Sequence, residues 1–246
     1  MSPVAVVLAA GKGTRMGSDL PKVLHPLLGE PLVVHPIRAA RAAGVGDVVL
    51  VVGHGAAAVR VALDATTDGL RYALQPEQRG TGHAVLCALP ELAGHDGPVL
   101  ILSGDVPGLR PATLRTLVER CAAAGAGLSL ATFEPEDPHG YGRVVRDAGG
   151  RVAAIVEERD ADAATRAIRE CNAGVYCAMA GVLRRELPRI GTANAQGEIY
   201  LTDLVARVAD GGVEAVRVPA DEVAGVNTPE QLLAVAVTLQ LRAAGR

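Results

Sequence analysis

Val4-Ala5-Val6-Val7-Leu8-Ala9-Ala10-Gly11-Lys12-Gly13-Thr14-Arg15-Met16 passes from an unbroken apolar run into a glycine-rich, basic turn. A continuous valine-rich run of this length reads as a strand buried on both faces, the pattern of a parallel sheet covered by helices. Met1-Ser2-Pro3 carries no basic n-region, and the cations Lys12 and Arg15 follow the run, so it is read as a strand and not as a secretory signal. A turn leaving such a strand exposes backbone N–H groups that can hold phosphate oxygens. It is not a dinucleotide fingerprint, because Met16 stands where the third glycine belongs, and no Gly-Lys-Ser/Thr sits at P-loop spacing. A dinucleotide-dependent oxidoreductase is therefore disfavoured.

Outward from that strand, read over Val4–Ala9, the runs Val48–Val52 and Val99–Leu102 repeat the same texture. Between and after them the pattern predicts helices over Leu32–Ala43 (opened by Pro31, closed by Gly44), Ala56–Leu63, about Thr81–Leu89 and about Pro111–Ala124. Beyond residue 108 the texture changes. Gly127–Phe133, Gly142–Arg146, Val152–Val156 and Gly174–Ala178 read as strands between polar turns, with one short helix at about Ala161–Ile168. Helical character returns at Ile199–Ala209 and Pro229–Leu241. The expectation is an α/β fold with a mostly parallel, mixed central sheet and helices on both faces. Ligands of such sheets bind beyond the carboxyl ends of the strands.

The 246 residues carry 24 Lys+Arg against 27 Asp+Glu, a net charge of −3, which excludes a strongly basic nucleic-acid footprint. Apolar residues reach 49% and charged ones 21%, enough for a large core. Phe133, Tyr72, Tyr141, Tyr176 and Tyr200 are too few for base-stacking platforms, and no apolar run is long enough to span a bilayer. Cys87, Cys121, Cys171 and Cys177 lack short paired spacing and sit in apolar stretches, so buried free thiols in a reducing cytoplasm are expected. The six histidines have no zinc-type spacing and are read as structural.

Lysine usage sharpens the reading of the first turn. Of 24 basic residues only Lys12 and Lys22 are lysine, both near this one turn. An ammonium on a flexible stem can follow a moving phosphate, and Arg15 adds a planar fork suited to phosphate. Asp105, in Leu102-Ser103-Gly104-Asp105-Val106-Pro107, follows an apolar strand and so stands at the sheet's carboxyl edge. Opposite a triphosphate loop it is a candidate Mg²⁺ ligand, since Mg²⁺ usually takes one or two carboxylates plus substrate phosphates. In Gln75-Pro76-Glu77-Gln78-Arg79-Gly80-Thr81-Gly82-His83-Ala84, a glutamine after a strand offers a donor and an acceptor from one amide, which can read the imide edge of uracil. Gly80 and Gly82 let the backbone approach a base closely.

Taken in order, several runs resemble one family. They are Leu-Ala-Ala-Gly-Lys-Gly-Thr-Arg-Met, Leu-Pro-Lys-Val-Leu-His, Gln-x-x-Gln-x-Gly-Thr-Gly-His-Ala, Gly-Asp-Val-Pro, Gly-Tyr-Gly-Arg, Ile-Val-Glu, Asn-x-Gly, Asn-Ala-Gln-Gly-Glu-x-Tyr-Leu-Thr-Asp and Gly-Val-Asn. They resemble the uridyltransferase domain of the bacterial bifunctional N-acetylglucosamine-1-phosphate uridyltransferase/glucosamine-1-phosphate acetyltransferases. The resemblance runs from residue 4 to about residue 235.

It implies a Rossmann-like nucleotidyltransferase fold that turns UTP and N-acetylglucosamine 1-phosphate into UDP-N-acetylglucosamine and pyrophosphate, with Mg²⁺. Carried over by motif, Arg15 and Lys22 would be catalytic. Leu8, Ala10, Gly11, Gly13, Gln75, Gly80 and Thr81 would bind the nucleotide, Gln75, Gly80 and Thr81 receiving the uracil. Gly142, Glu157, Asn172, Tyr200 and Thr202 would hold the ribose and acetamido sugar, and Asp105 and Asn227 the metal. On that reading the chain is one nucleotidyltransferase domain. It divides into a nucleotide part over about 1–108, a sugar part over about 109–228 and a terminal helix over about 229–242.

Two departures stand out. Ser103 occupies a place where relatives often carry tyrosine, and the family's hexapeptide-repeat half has no counterpart in these residues. Acetyltransferase activity and the trimer that half provides are therefore not expected of them, which leaves a monomer open. A cytoplasmic enzyme acting on small molecules, with no nucleic-acid or membrane partner, is the expectation. A sister transferase using another sugar or nucleotide, and a non-catalytic nucleotide-sensing module, are the alternatives.

Overall fold

The structure, a computed structural model, describes residues 1–245. β1 (Val4–Ala9) has the bounds its apolar run predicts. The chain then makes a small hairpin, β2 (Pro26–Leu27) with β3 (Glu30–Pro31), and continues into α1 (Val34–Ala42), β4 (Asp47–Val52), α2 (Ala56–Asp64) and β5 (Leu70–Leu74). Next come α3 (Thr81–Ala88), β6 (Pro98–Ser103), α4 (Pro111–Ala123) and β7 (Leu128–Phe133). The remaining elements are β8 (Arg143–Arg146), β9 (Val152–Val156), α5 (Ala163–Arg166), β10 (Cys171–Met179), α6 (Ala180–Glu186), α7 (Asp203–Val208), β11 (Glu214–Arg217) and α8 (Pro229–Ala243).

The main sheet runs β11-β7-β10-β6-β1-β4-β5, and β8 pairs with β10 and β9. β5, β4, β1 and β6 are parallel, β10 runs against both β6 and β7, and β11 is again parallel to β7. The expected mixed, mostly parallel sheet is therefore present. β1 lies between β4 and β6, so the chain reverses its direction of winding there, and the carboxyl end of β1 is the switch point where ligands of such sheets sit.

Both faces of the sheet are covered. Val34, Ile37, Val59, Leu63, Leu114 and Leu117 of α1, α2 and α4 pack on one face. Val85, Leu183, Leu204 and Val205 of α3, α6 and α7 pack on the other. A third, smaller cluster joins Met16, Leu27, Leu32, Val226 and Val235. It clamps the first turn, the hairpin and α8 together.

Several elements differ from the sequence expectation. α1 begins two residues later than predicted, at Val34. α6 and the edge strand β11 were not predicted. β11 is four residues with a charge at each end, too short and polar for a strand signal. The helix expected from Ile199 begins only at Asp203, because the preceding backbone is committed to the start of α3. Ile199 donates to Arg79 O (2.9 Å), Gly82 donates to Ile199 O (2.8 Å), and Leu201 donates to Thr81 Oγ1 (3.2 Å). The short helix expected over Ala161–Ile168 contracts to α5, capped by Asp162 Oδ1 accepting from Thr165 N at 2.7 Å. β10 is longer than expected, with a register shift between Asn172 and Tyr176. All four cysteines are free thiols, three of them buried, whereas Cys87 is half-buried.

Candidate active site

The register of β1 against β6 pairs Leu8 with Ser103, and Gly104 donates its N–H to Leu8 O at 2.8 Å. The first turn and the Asp105 loop are therefore neighbours by strand pairing alone. Lys22 returns to the same place from a short 3₁₀ turn, Lys22–Leu24, with Val23 and Leu24 buried beneath it. Gly13 makes that return possible. Its φ of +62° lies in the left-handed region, and a Cβ there would stand 2.4 Å from Lys22 Cβ.

Lys22 Nζ is ion-paired with Asp105 Oδ2 and donates to Asn227 Oδ1 at 3.1 Å. Arg15 donates to the same Asn227 oxygen at 3.0 Å. Asn227 arrives from far along the chain because buried Val226 packs with Met16 and Leu27 and donates its N–H to Asp105 O at 2.9 Å. Two hard oxygens, one anionic and one neutral, thus converge on a single cation. That donor set suits Mg²⁺, which takes one or two protein oxygens and completes its shell with phosphates and water. Among the described residues no group of three His, Cys, Asp or Glu could hold a metal.

Two cavities flank this cluster. One, of about 280 Å³, is lined by Leu8, Ala10, Gly11, Lys22, Gln75, Gln78, Gly80, Thr81, Ser103, Asp105 and Glu198, among others. The other, of about 620 Å³, is lined by Arg15, His139, Gly140, Tyr141, Glu157, Glu158, Tyr200, Asn227 and Gln231, among others. Arg15 therefore opens to the second cavity, while Lys22 and Asp105 open to the first. Gly13, Gly142, Asn172 and Thr202 line neither.

Those residues act behind the walls. Thr202 Oγ1 donates to Glu157 Oε1 at 3.0 Å. Asn172 donates its side-chain amide to Tyr176 OH at 2.6 Å, accepts from Gly174 N at 3.1 Å, and donates its backbone N–H to Gly142 O at 2.8 Å. Burial pushes the Glu157 carboxyl above its ordinary range, opposed by the Thr202 hydrogen bond and reinforced by Asp160, Asp203 and Glu198.

At the first cavity, the amide of buried Gln75 is partly engaged by the protein itself. Its nitrogen donates one of its two hydrogens to Gly80 O at 3.1 Å. Sequence reading passed over Gln231. Its Oε1 accepts from Asn227 N at 2.8 Å, and its own N–H donates to Thr228 Oγ1 at 3.3 Å. Thr-x-x-Gln at the head of a helix is the capping-box spacing and was the available signal.

A doubly covered, mostly parallel sheet, with a cationic turn at its switch point facing an acid and an amide, is built to hold an anionic ligand there. Residues 5–181 match the family model of the MobA-like NTP transferase domain, and the chain belongs to that family. It is similar to "Bifunctional protein GlmU" of Anaeromyxobacter dehalogenans (strain 2CP-1 / ATCC BAA-258), 55% identical over 231 residues, 93% of this chain and 47% of the relative. The protein of the same name from Pelobacter propionicus is 50% identical over 241 residues, 97% of this chain and 52% of that one. That from Trichlorobacter lovleyi is 49% identical over 250 residues, 98% and 54% respectively. The chain spans about half the length of the curated relatives it matches. No helix among the described residues is long and apolar enough to cross a membrane.

Proposed function

We propose that this chain transfers UMP from UTP to N-acetylglucosamine 1-phosphate, releasing pyrophosphate and UDP-N-acetylglucosamine. The observation that carries the reading is the convergence of Lys22, Arg15, Asp105 and Asn227 at the switch point, between two cavities. In this reading the smaller cavity takes the nucleotide, through Leu8, Ala10, Gly11, Gln75, Gly80 and Thr81. The larger takes the sugar phosphate, through Glu157 and Tyr200, with Gly142, Asn172 and Thr202 behind them. Residues 1–108 would then supply the nucleotide part and 109–228 the sugar part, closed by α8.

An oxygen of the sugar phosphate attacks the α-phosphorus of UTP, and the bond to the pyrophosphate oxygen breaks. The attacking phosphate is already ionised, so the protein needs no general base. Its work is to neutralise two approaching anions and to align them. Lys22 meets charge growing on the α-phosphate, the amides of the first turn steady the departing pyrophosphate, and Arg15, which opens to the larger cavity, neutralises phosphate charge where the two cavities meet. Asp105 and Asn227 would hold Mg²⁺, which supplies Lewis-acid charge and a template for phosphate oxygens when bound. Free thiols throughout fit a reducing, cytoplasmic setting.

The test is pyrophosphate release, with and without Mg²⁺, from UTP, dTTP, CTP or GTP paired with several sugar 1-phosphates. Metal-dependent release that is fastest with UTP and N-acetylglucosamine 1-phosphate is expected. Faster release with another pair would reassign the substrate, and binding of UTP without any release would make the chain a nucleotide sensor.

A further inference from the structure

The Gln75 amide nitrogen faces two acceptors. Besides Gly80 O at 3.1 Å, it lies 3.2 Å from His83 Nδ1. His83 sits on the first turn of α3, and Nδ1 is also 3.1 Å from Glu77 O. A single ring nitrogen cannot accept from Gln75 and donate to Glu77 at once. Burial decides between the two. Gln75 is 4% exposed, so an amide hydrogen without a partner there loses its hydration and gains nothing in return. Glu77 lies on an exposed turn, and its carbonyl already accepts from Arg79 N at 2.9 Å. Nδ1 is therefore the acceptor, and the ring proton is on Nε2. There it points along the helix to Cys87 Sγ at 3.8 Å, a thiol that burial keeps protonated.

With both amide hydrogens engaged, Oε1 is the one polar end of the Gln75 side chain left for the cavity. We infer that His83, which lines no part of that cavity, is a positioning residue. It locks Gln75 so that the site presents only a hydrogen-bond acceptor, and thereby selects a pyrimidine with an imide N–H over cytosine, whose N3 is a lone pair. The inference rests on the reading of the smaller cavity as the nucleotide site. It adds that base choice is set one residue behind the pocket wall, by a tautomer.

Equilibrium binding of UTP and of CTP, measured by calorimetry in Mg²⁺ on the full chain, tests it independently of turnover. His83→Leu removes the acceptor, whereas His83→Asn places an amide oxygen near the position of Nδ1. The UTP-over-CTP preference should fall about tenfold in His83→Leu, chiefly through weaker UTP binding, as one buried donor loses its partner. In His83→Asn it should stay within about threefold of the unmodified chain. In turnover the same loss should appear in KM and not in kcat. A preference that survives in His83→Leu overturns the inference, as does equal loss in both variants. Should His83→Leu fail to fold, ¹⁵N NMR of the unmodified chain still decides. A pyridine-type Nδ1 with a protonated Nε2 is expected, and the opposite tautomer contradicts the lock. If the unmodified chain binds no UTP, the nucleotide reading fails by itself, whereas the protonation of Nδ1 tests the lock on Gln75 whether or not UTP binds.

Discussion

The backbone N–H of Val226 is bonded to the carbonyl oxygen of Asp105 at 2.9 Å. That contact sets Asn227 beside the Asp105 carboxylate and holds the segment ahead of α8 against the loop that follows β6. The apolar packing of Val226 against Met16 and Leu27 holds the arrangement from below. Lys22 then has two oxygens to bind, one on each side of the junction.

Lys22→Ala should lower kcat by about 10²–10³-fold, the scale for losing one donor to transition-state charge. Steady-state kinetics with saturating UTP and Mg²⁺ give the number. Undiminished turnover would remove Lys22 from the mechanism. Asp105→Asn should move the Mg²⁺ titration of activity to higher metal concentration, whereas an unchanged titration would reduce Asp105 to a turn residue.

Gly13→Ala probes the same lysine indirectly. The new methyl would stand 2.4 Å from Lys22 Cβ on a backbone at φ +62°, so Lys22 must shift by about 1 Å or more. A fall in kcat of about 10²-fold is expected from such a displacement, with UTP still bound. Kinetics beside a UTP titration check it; wild-type kcat in this variant would mean that the position of Lys22 is not critical.

Glu157 should set function against stability. Its carboxyl is raised chiefly by burial, so the folded state holds its proton more tightly than the unfolded chain does. The associated stability is complete below the ordinary carboxylate range and is lost as pH rises through the raised value. Glu157→Gln should therefore unfold at a higher temperature than wild type at pH 7, with the gap closing under acid, while the KM for the sugar phosphate rises. Thermal melts from pH 4 to pH 8 would reveal the trend. A gap that widens toward acid would reverse the assigned sign.

Arg143 is almost wholly buried, paired with Glu158 Oε2 at 2.8 Å and bonded to Tyr141 O. It ties β8 to the segment after β9, the two edges that carry Tyr141 and Glu158 into the larger cavity. Arg143→Met should cost about 1–2 kcal/mol, because Tyr141 O and the Glu158 carboxylate lose their buried partner while Arg166 stays 3.7 Å from Glu158 Oε1. Adding Glu158→Gln should restore part of that loss in urea unfolding. Simple additivity of the two changes would show that the pair does not act as a unit.

β1 and β9 were legible to the residue because a continuous valine-rich run, or an apolar run between polar turns, is a local signal. The start of α7 was not, since Ile199 is apolar and helix-compatible yet spends its backbone bonds on Arg79 and Gly82, over a hundred residues away. The site divides in the same way. Lys22 and Asp105 follow from rare lysine usage and from strand ends. Asn227 was reached only through its likeness to a family motif, because its place depends on the distant packing of Val226. His83 stands in one of the family-like runs, but nothing local in that run marks its role. Its role depends on which of two carbonyl or amide groups its ring meets, and only three-dimensional geometry supplies that.

The central claim is that the turn after β1 cradles a nucleoside triphosphate opposite Asp105 and Asn227. A crystal structure with UDP-N-acetylglucosamine and Mg²⁺ tests it most directly. The diphosphate should lie within hydrogen-bond reach of Lys22 and the amides of Gly11–Gly13, with the uracil against Gln75 and the sugar toward Glu157. A ligand bound elsewhere, with the Lys22–Asp105 pair untouched, would contradict it.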